Sequence, residues 1–388
     1  MSVTAAQGFA AAGVAAGIKP SGKPDVALVR SLVPSVGAAL WTTNRVQAAP
    51  VVVSRRHLSQ ADPQAVVVNA GVANAATGPG GEDDALATAR HVAVALGLAP
   101  EQVLVLSTGV IGARLPMQRV LAGVDTAAAQ LSPDGGRAAA EAILTTDSGP
   151  KLATVSSDAF TVGGMAKGAG MIHPCLATML VLLTTDYPLE AGEVDGFLRA
   201  AVERSFNRIS VDGETSTNDA VLLLANGKSR VARDTGLDST FDAALGEVCA
   251  DLARQIVADG EGATVVLEIS VTSASSKEEA LAIARRIATS PLVKTAAFGQ
   301  DPNWGRVLAA AGSAPYDGGF ARLEPERLSV SFEGTPVFVA GAPTGLVPRL
   351  GGPSCRIELD LGLGVGDASY LASDLTHDYV TLNAEYTT

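Results

Sequence analysis

Four stretches of the chain combine residue types that can do chemistry. "STGVIG" (107–112) leaves an apolar run at Ser107. That places Thr108 and Gly109 at a strand's exit, where backbone N–H groups can face an anion or a developing oxyanion; a plain strand-to-helix turn would look the same. "NRISVDGETSTND" (207–219) holds two Asn, two Asp, a Glu, an Arg and four hydroxyls in thirteen positions, which suits either a solvated loop or the wall of a polar pocket. "GQDPNWGRV" (299–307) sets Asp301, Asn303, Trp304 and Arg306 around a turn. In "GMIHPCLATMLVLLTTD" (170–186), Thr178 stands where a long apolar stretch begins. By residue type alone it is a β-branched packing residue with a locally satisfied hydroxyl.

Conventional catalytic sets are missing. The four histidines, His57, His91, His173 and His377, form no HExxH, no GxSxG and no metal pair. His173 and Cys175 are close in sequence, but a catalytic thiol ordinarily partners a histidine from another part of the fold. "GGMAKGAG" (163–170) has glycines without Walker spacing, and no dinucleotide fingerprint occurs. Cys175, Cys249 and Cys355 are few, widely spaced and odd in number, which suggests neither a disulfide framework nor a CxxC metal site. Protein-only chemistry in a reducing cytoplasm, without metal or cofactor, is the expectation.

The elements that must hold these segments read as α/β. "VALV" (26–29), "AVVVN" (65–69) and "QVLVLS" (102–107) have the short branched pattern of buried strands. Residues 82–98, "PMQRVLAGVDTAAAQL", "GGRAAAEAILTT", 189–206 and "FDAALGEVCADLARQIVADG" read as helices, and "ATVVLEISVT" as a strand. "SSKEEALAIARRIATS" carries Ser and Glu as helix-start signals. The last sixty or so residues read as strand-rich, including "RLSVSFEG", "CRIELDLGLG" and "YVTLN", and 340–354 as a long loop. Mixed sheets covered by helices are the natural architecture.

The 388 residues are 47% hydrophobic but 4% aromatic, so the core is built from Ala, Val, Leu and Ile. A net charge of -12, with no basic run, argues against nucleic acid and anionic membranes as partners. The N-terminus lacks the basic and Leu-rich regions of a signal peptide, and no apolar run reaches the ~18 residues of a membrane span.

Taken together and in order, "STGVIGARLPM", "AILTTDSGPK", "MAKGAGMIHPCLATML", "VDGETSTND", "ADGEGAT", "SPLVKTA", "DPNWGRV" and the ending "YVTLNAEYTT" make the chain similar to the ornithine acetyltransferase family of arginine biosynthesis. The likeness runs from "AAGVAAGIKPSGKPDVALV" to the last residue. It implies an α/β sandwich like that of certain self-processing aminopeptidases, and self-cleavage between Ala177 and Thr178. The products would be an alpha chain, 1–177, and a beta chain, 178–388, that stay associated, as a dimer of cleaved pairs.

The resemblance makes the new N-terminal Thr178 the nucleophile in a ping-pong transfer of acetyl from N-acetylornithine to glutamate. The chemistry is sound: the freed α-amine, with an unperturbed pKa of roughly 8, can take the hydroxyl proton without a histidine. The Thr108 hydroxyl and Gly109 N–H match the oxyanion-hole pair. Lys167 matches a lysine suited to a substrate carboxylate, and either Thr145 or Thr146 a further substrate position. Glu261 suits the ornithine side-chain amine, and Asn383 and Thr388 match positions reaching in from the C-terminus. Acetyl-CoA as an alternative donor is left open by the motifs.

Cys175 and Leu176 stand where the family pattern "HPNMATML" has Asn and Met, and "NAGVANAATG" (69–78) lacks the Ser and Cys of "NSGxANACTG". These departures bear on cleavage efficiency and substrate preference. Other readings of the same residues are a self-processing amidase or aminopeptidase, a paralogue acting on other acetylated amino acids in secondary metabolism, and an inert binding or structural subunit.

Overall fold

Runs of Val, Leu and Ala dictate where the strands lie. The computed structural model describes residues 2–173 and 179–385. These form two compact units, one within 2–207 and 214–256, the other within 208–213 and 257–385.

In the first unit, a four-stranded sheet runs in the order Phe9–Val14, Val26–Ser31, Ala65–Val72, Val103–Val110. A five-stranded sheet runs Val36–Trp41, Ala220–Ala225, Leu180–Thr185, Thr161–Lys167, Lys151–Ser156. Side chains alternate across a strand, so each strand of the four-stranded sheet feeds two cores. Val29, Val66, Val68, Leu104 and Leu106 meet Met165, Leu182, Leu222 and Leu224 of the five-stranded sheet. Leu28, Val67, Val103 and Val105 face the other way, onto Ala89, Val92 and Val120 of the helices Gly78–Leu96 and Met117–Ala129. Behind the five-stranded sheet, Leu252 and Val248 of the Thr235–Ala258 helix approach so closely that a Cβ on Gly164 would lie 2.9 and 3.1 Å from them. The unit is therefore a sandwich of two sheets with helices outside both.

The second unit has a seven-stranded mixed sheet ordered Ala342–Pro343, Thr335–Val339, Ser329–Phe332, Ser354–Asp360, Val266–Ala274, Gly366–Ser373, Ile209–Ser210. The helix Lys277–Ala288 covers it through Ala280, Ile283, Ala284 and Ile287. Its Ser276 cap accepts from the Glu279 N–H at 3.1 Å, as the sequence signals. The Trp304–Ala311 helix starts on Asn303, whose side chain accepts from the Arg306 N–H, and Trp304 stacks on Phe338 with centroids 4.9 Å apart. "DPNWGRV" is thereby a helix start.

Two expectations are corrected. "YVTLN" is not a strand but part of the helix His377–Glu385. The Thr376 hydroxyl accepts from the Tyr379 N–H at 3.1 Å, a cap that outweighs the β propensity of Tyr, Val and Thr. The strand expected to end at Ser107 continues through Val110 and pairs in parallel with Ala65–Val72. Irregular register around Gly71, Val72 and Thr108 marks where it bends.

Candidate active site

In the first unit, Thr108 and Gly109 sit in the irregular end of their strand rather than beyond it. Thr108 is buried. Gly109 has φ +128°, and a Cβ there would lie 2.3 Å from the Gly71 carbonyl carbon, so only glycine fits. Gly71 is itself covered by the Lys19 stem, whose Cγ would be 3.3 Å from a Cβ at that position. Asn218 ties the two strand ends together, donating from Nδ2 to Ala73 O at 2.7 Å and Ser107 O at 2.9 Å.

Asn218 belongs to "STND", where Ser216, Thr217, Asn218 and Asp219 are all buried. This part of the polar segment is an interior wall, not a solvated loop. Asp219 Oδ1 accepts from the Met179 N–H at 2.9 Å, and the Ala220 N–H donates to Met179 O at 3.2 Å. The residue that follows Thr178 is thus pinned on both backbone groups where the parallel strands Leu180–Thr185 and Ala220–Ala225 begin. Burial holds the Asp219 carboxyl well above the usual carboxylate range, against the Met179 N–H, Lys167 and the nearby Ser216 hydroxyl.

Lys167 closes the strand Thr161–Lys167, and its side chain is buried. Its Nζ lies 3.8 Å from Oδ2 of Asp147, a carboxylate with no side-chain exposure. The Asp147 Oδ1 accepts from Lys151 Nζ and from the Gly168 N–H, both at 2.6 Å, and Oδ2 accepts from the Thr145 N–H at 3.1 Å. Burial would raise the Asp147 pKa, but Lys167, Lys151 and the Gly168 N–H together hold it well below the usual range. Thr145 is half-buried beside this carboxylate, whereas Thr146 is exposed.

Lys19 completes the cationic group. Its Nζ donates to Pro24 O at 2.6 Å and Ala142 O at 3.2 Å, and its loop is held by Asp25, which accepts from the N–H groups of Ala16, Ile18 and Lys19. Burial brings the Lys19 pKa down to about 8, with Asp25 opposing and Lys167 adding to the fall.

Glu261 and Asn383 meet in the second unit. Asn383 Nδ2 donates to Glu261 Oε2 at 2.9 Å and to Tyr379 O at 3.1 Å, one helical turn back. The loop carrying Glu261 turns at Gly262, where φ is +67° and a Cβ would lie 2.4 Å from the Tyr379 N. Asp374 holds the Thr264 N–H at 2.9 Å, and the Thr376 hydroxyl donates to Gly262 O at 2.7 Å. Ala177, Thr178 and Thr388 lie outside the described residues.

Sequence reasoning singled out neither Asp147 nor Asp219 nor Lys19, although each lies in or beside a quoted motif. Their partners are 2 to 21 residues away for Asp147 and 40 for Asp219, and no local pattern announces them. Burial pushes the Cys249 and Cys355 thiols up to about 12, which leaves neither a ready nucleophile. Among the described residues no cluster of His, Cys, Asp and Glu could hold a metal ion, and no helix is long and apolar enough to cross a membrane.

Comparison with known proteins decides the family. The ArgJ family model matches residues 10–388. The chain belongs to the ArgJ family. The "Arginine biosynthesis bifunctional protein ArgJ" of Mycolicibacterium paratuberculosis is 48% identical over 99% of this chain and 96% of its own. That of Thermobifida fusca is 47% identical over the full length of both. The crystal structure of the Bacillus halodurans ArgJ protein is similar at 36% identity with a TM-score of 0.50, covering 53% of this chain and 98% of the solved one. The family membership bears out the resemblance read from the motifs, and the mixed α/β fold agrees with it.

Proposed function

We propose that this ArgJ protein transfers an acetyl group from N-acetylornithine to glutamate, yielding ornithine and N-acetylglutamate for arginine biosynthesis. The observation that carries the proposal is the family match over residues 10–388, with relatives named as arginine-biosynthesis enzymes along their whole length. An amidase or aminopeptidase reading has no comparable support.

The mechanism runs through Thr178. Cleavage after Ala177 gives this threonine a free α-amine, which takes the proton as Oγ attacks the acetyl carbonyl. The Thr108 hydroxyl and Gly109 N–H receive the oxyanion, the α-ammonium returns the proton to the departing ornithine nitrogen, and glutamate's amine attacks the acetyl-threonine ester, giving up a proton through the α-amine to the released Thr178 Oγ. Lys167 receives the carboxylate that both amino acids carry, with Thr145 beside it; Glu261 receives the ornithine side-chain amine, and Asn383 and Thr388 are further substrate-binding residues. Thr145 is favoured over Thr146 by its position against Asp147.

Two features support the cut. The anticipated point falls between Thr161–Lys167 and Leu180–Thr185, antiparallel neighbours paired from Val162 with Thr185 to Lys167 with Leu180, so the chains 1–177 and 178–388 would stay joined by a sheet. The Bacillus halodurans match nearly exhausts the solved chain with 53% of this one, as a product cut near the middle would. We further propose a dimer of cleaved pairs, a cytoplasmic location, no cofactor, and acetyl-CoA as a second acetyl donor; the relatives' designation as bifunctional favours the last. Purified protein supplied with N-acetylornithine and glutamate should yield N-acetylglutamate. Release of free acetate alone would instead favour a hydrolase.

A further inference from the structure

Asn218 and Asp219 are consecutive buried residues whose side chains hold two different strand ends. Asn218 Nδ2 donates to Ser107 O at 2.9 Å and to Ala73 O at 2.7 Å. Ser107 O belongs to the peptide group that leads into Thr108. Ala73 follows the strand end that pairs irregularly with Thr108 and Val110, and its N–H donates to Val110 O at 2.9 Å. Asn218 therefore grips both sides of the bend in which Thr108 and Gly109 lie. Asp219, the next residue, accepts from the Met179 N–H at 2.9 Å, where the strand Leu180–Thr185 begins. Consecutive Cα atoms are about 3.8 Å apart, so one dipeptide fixes the spacing between the bend and the strand that Thr178 precedes.

The orientation of the amide is set by its own partners. Its Oδ1 accepts from the Thr217 hydroxyl at 2.6 Å, and the Asn218 N–H donates to Ser216 Oγ at 3.1 Å. A flipped amide would set its oxygen against two carbonyl oxygens and lose both bonds. Asn69 braces the same bend from within the sheet, accepting from the Ser107 hydroxyl and donating to Val72 O at 2.8 Å. Asn218 adds the connection to the strand of Met179.

We propose that Asn218 is a positioning residue for acetyl transfer: through Ser107 O and Ala73 O it holds Thr108 and Gly109 in register with the strand that Thr178 precedes, whose first backbone N–H is held by the adjoining Asp219. This rests on the reading that Thr108 and Gly109 receive the oxyanion formed when Thr178 attacks. The Thr217 hydroxyl serves the same end, because it orients the amide.

The test is kcat and KM for N-acetylornithine and glutamate in wild type, Asn218→Ala, Thr108→Ala and the double variant, with every rate referred to the amount of chain beginning at Thr178, counted by mass spectrometry. Asn218→Ala should lower kcat by about 10- to 100-fold, less than the roughly 10²- to 10³-fold that follows loss of an oxyanion donor itself, with both KM values within about twofold of wild type. Once Thr108→Ala has removed the hydroxyl being positioned, Asn218→Ala should lower kcat by at most about threefold further. A merely structural role would cut the rate by the same factor in both backgrounds. Unchanged kcat in Asn218→Ala, or equal factors in the two backgrounds, would overturn the proposal. If Asn218→Ala yields no cleaved chain, Thr217→Val, which keeps the side-chain shape but removes the hydroxyl that orients the amide, takes its place in the same cycle, and the same two results would overturn it. Thr108→Ala with wild-type kcat would instead refute the oxyanion reading itself, a separate result.

Discussion

The Asp219 carboxylate accepts a hydrogen bond from the Met179 N–H at 2.9 Å, joining the last polar residue of one segment to the residue directly after Thr178. The bond spans 40 positions and is wholly buried. It fixes the first backbone group of the strand that would carry the nucleophile, and it belongs to a carboxyl that burial keeps towards its neutral form.

Asp219→Ala should therefore slow self-cleavage, leaving full-length chain visible by mass spectrometry after wild type is fully cut, whereas Asp219→Asn, which keeps an acceptor oxygen, should cut normally. The pH effect has a definite sign. The folded-state pKa is raised, so the folded protein binds more protons than the unfolded chain above the ordinary Asp value of about 3.9, and this residue's contribution to stability declines as pH rises. Asp219→Asn should thus gain on wild type in melting temperature from acidic to neutral pH; a constant difference between the two would contradict this.

Gly109→Ala places a methyl group 2.3 Å from the Gly71 carbonyl carbon and forces alanine to φ +128°. The strand ends must move apart, displacing the N–H assigned to the oxyanion. Loss of one such donor costs about 10²- to 10³-fold in kcat. Steady-state rates with N-acetylornithine should fall by that order while KM changes little.

Glu261→Gln removes the negative charge assigned to the ornithine side-chain amine but keeps a partner for Asn383. A hydrogen bond to a charged group contributes about 1.5–3 kcal/mol, so KM for N-acetylornithine should rise roughly 10- to 100-fold. Glutamate, which carries no side-chain amine, should show a much smaller change. Equal effects on both would reassign Glu261.

Lys294, in the helix Pro291–Phe298, donates to Ser373 O and has a pKa brought down to about 8 by burial, against the pull of Asp212 and Asp374. Its folded-state value is below its unfolded value of about 10.4, so the unfolded chain binds more protons between the two and stability from this residue rises with pH across that window. From pH 8 to 10, wild type should gain in melting temperature relative to Lys294→Met; no gain would show that Lys294 is not the titrating group.

Where local chemistry decides, the sequence was legible. Ser276 with Glu279 marked a helix start, and Gly97 with φ +66° ends the helix Gly78–Leu96 near where the acidic-to-apolar pattern gave way. "YVTLN" misled because three residues of high β propensity follow a capping Thr376, and the cap, itself bonded to Gly262 O, won. The helix then brings Asn383 one turn from Tyr379 and onto Glu261, a contact no strand reading suggests. Thr108, Gly109 and Lys167 were singled out as candidates through motifs. Asp147, Lys19 and Asp219 were not, because what a buried charge does depends on which distant N–H, carboxylate and ammonium groups the fold brings to it.

The most direct measurement is to incubate purified protein with N-acetylornithine and no glutamate, then separate the chains and locate any added acetyl by mass spectrometry. One acetyl group on Thr178 at the start of a 178–388 chain, discharged when glutamate is added, is the expected result. An intact full-length chain that still transfers acetyl, or an acetyl group on any other residue, would contradict the assignment of Thr178 as nucleophile.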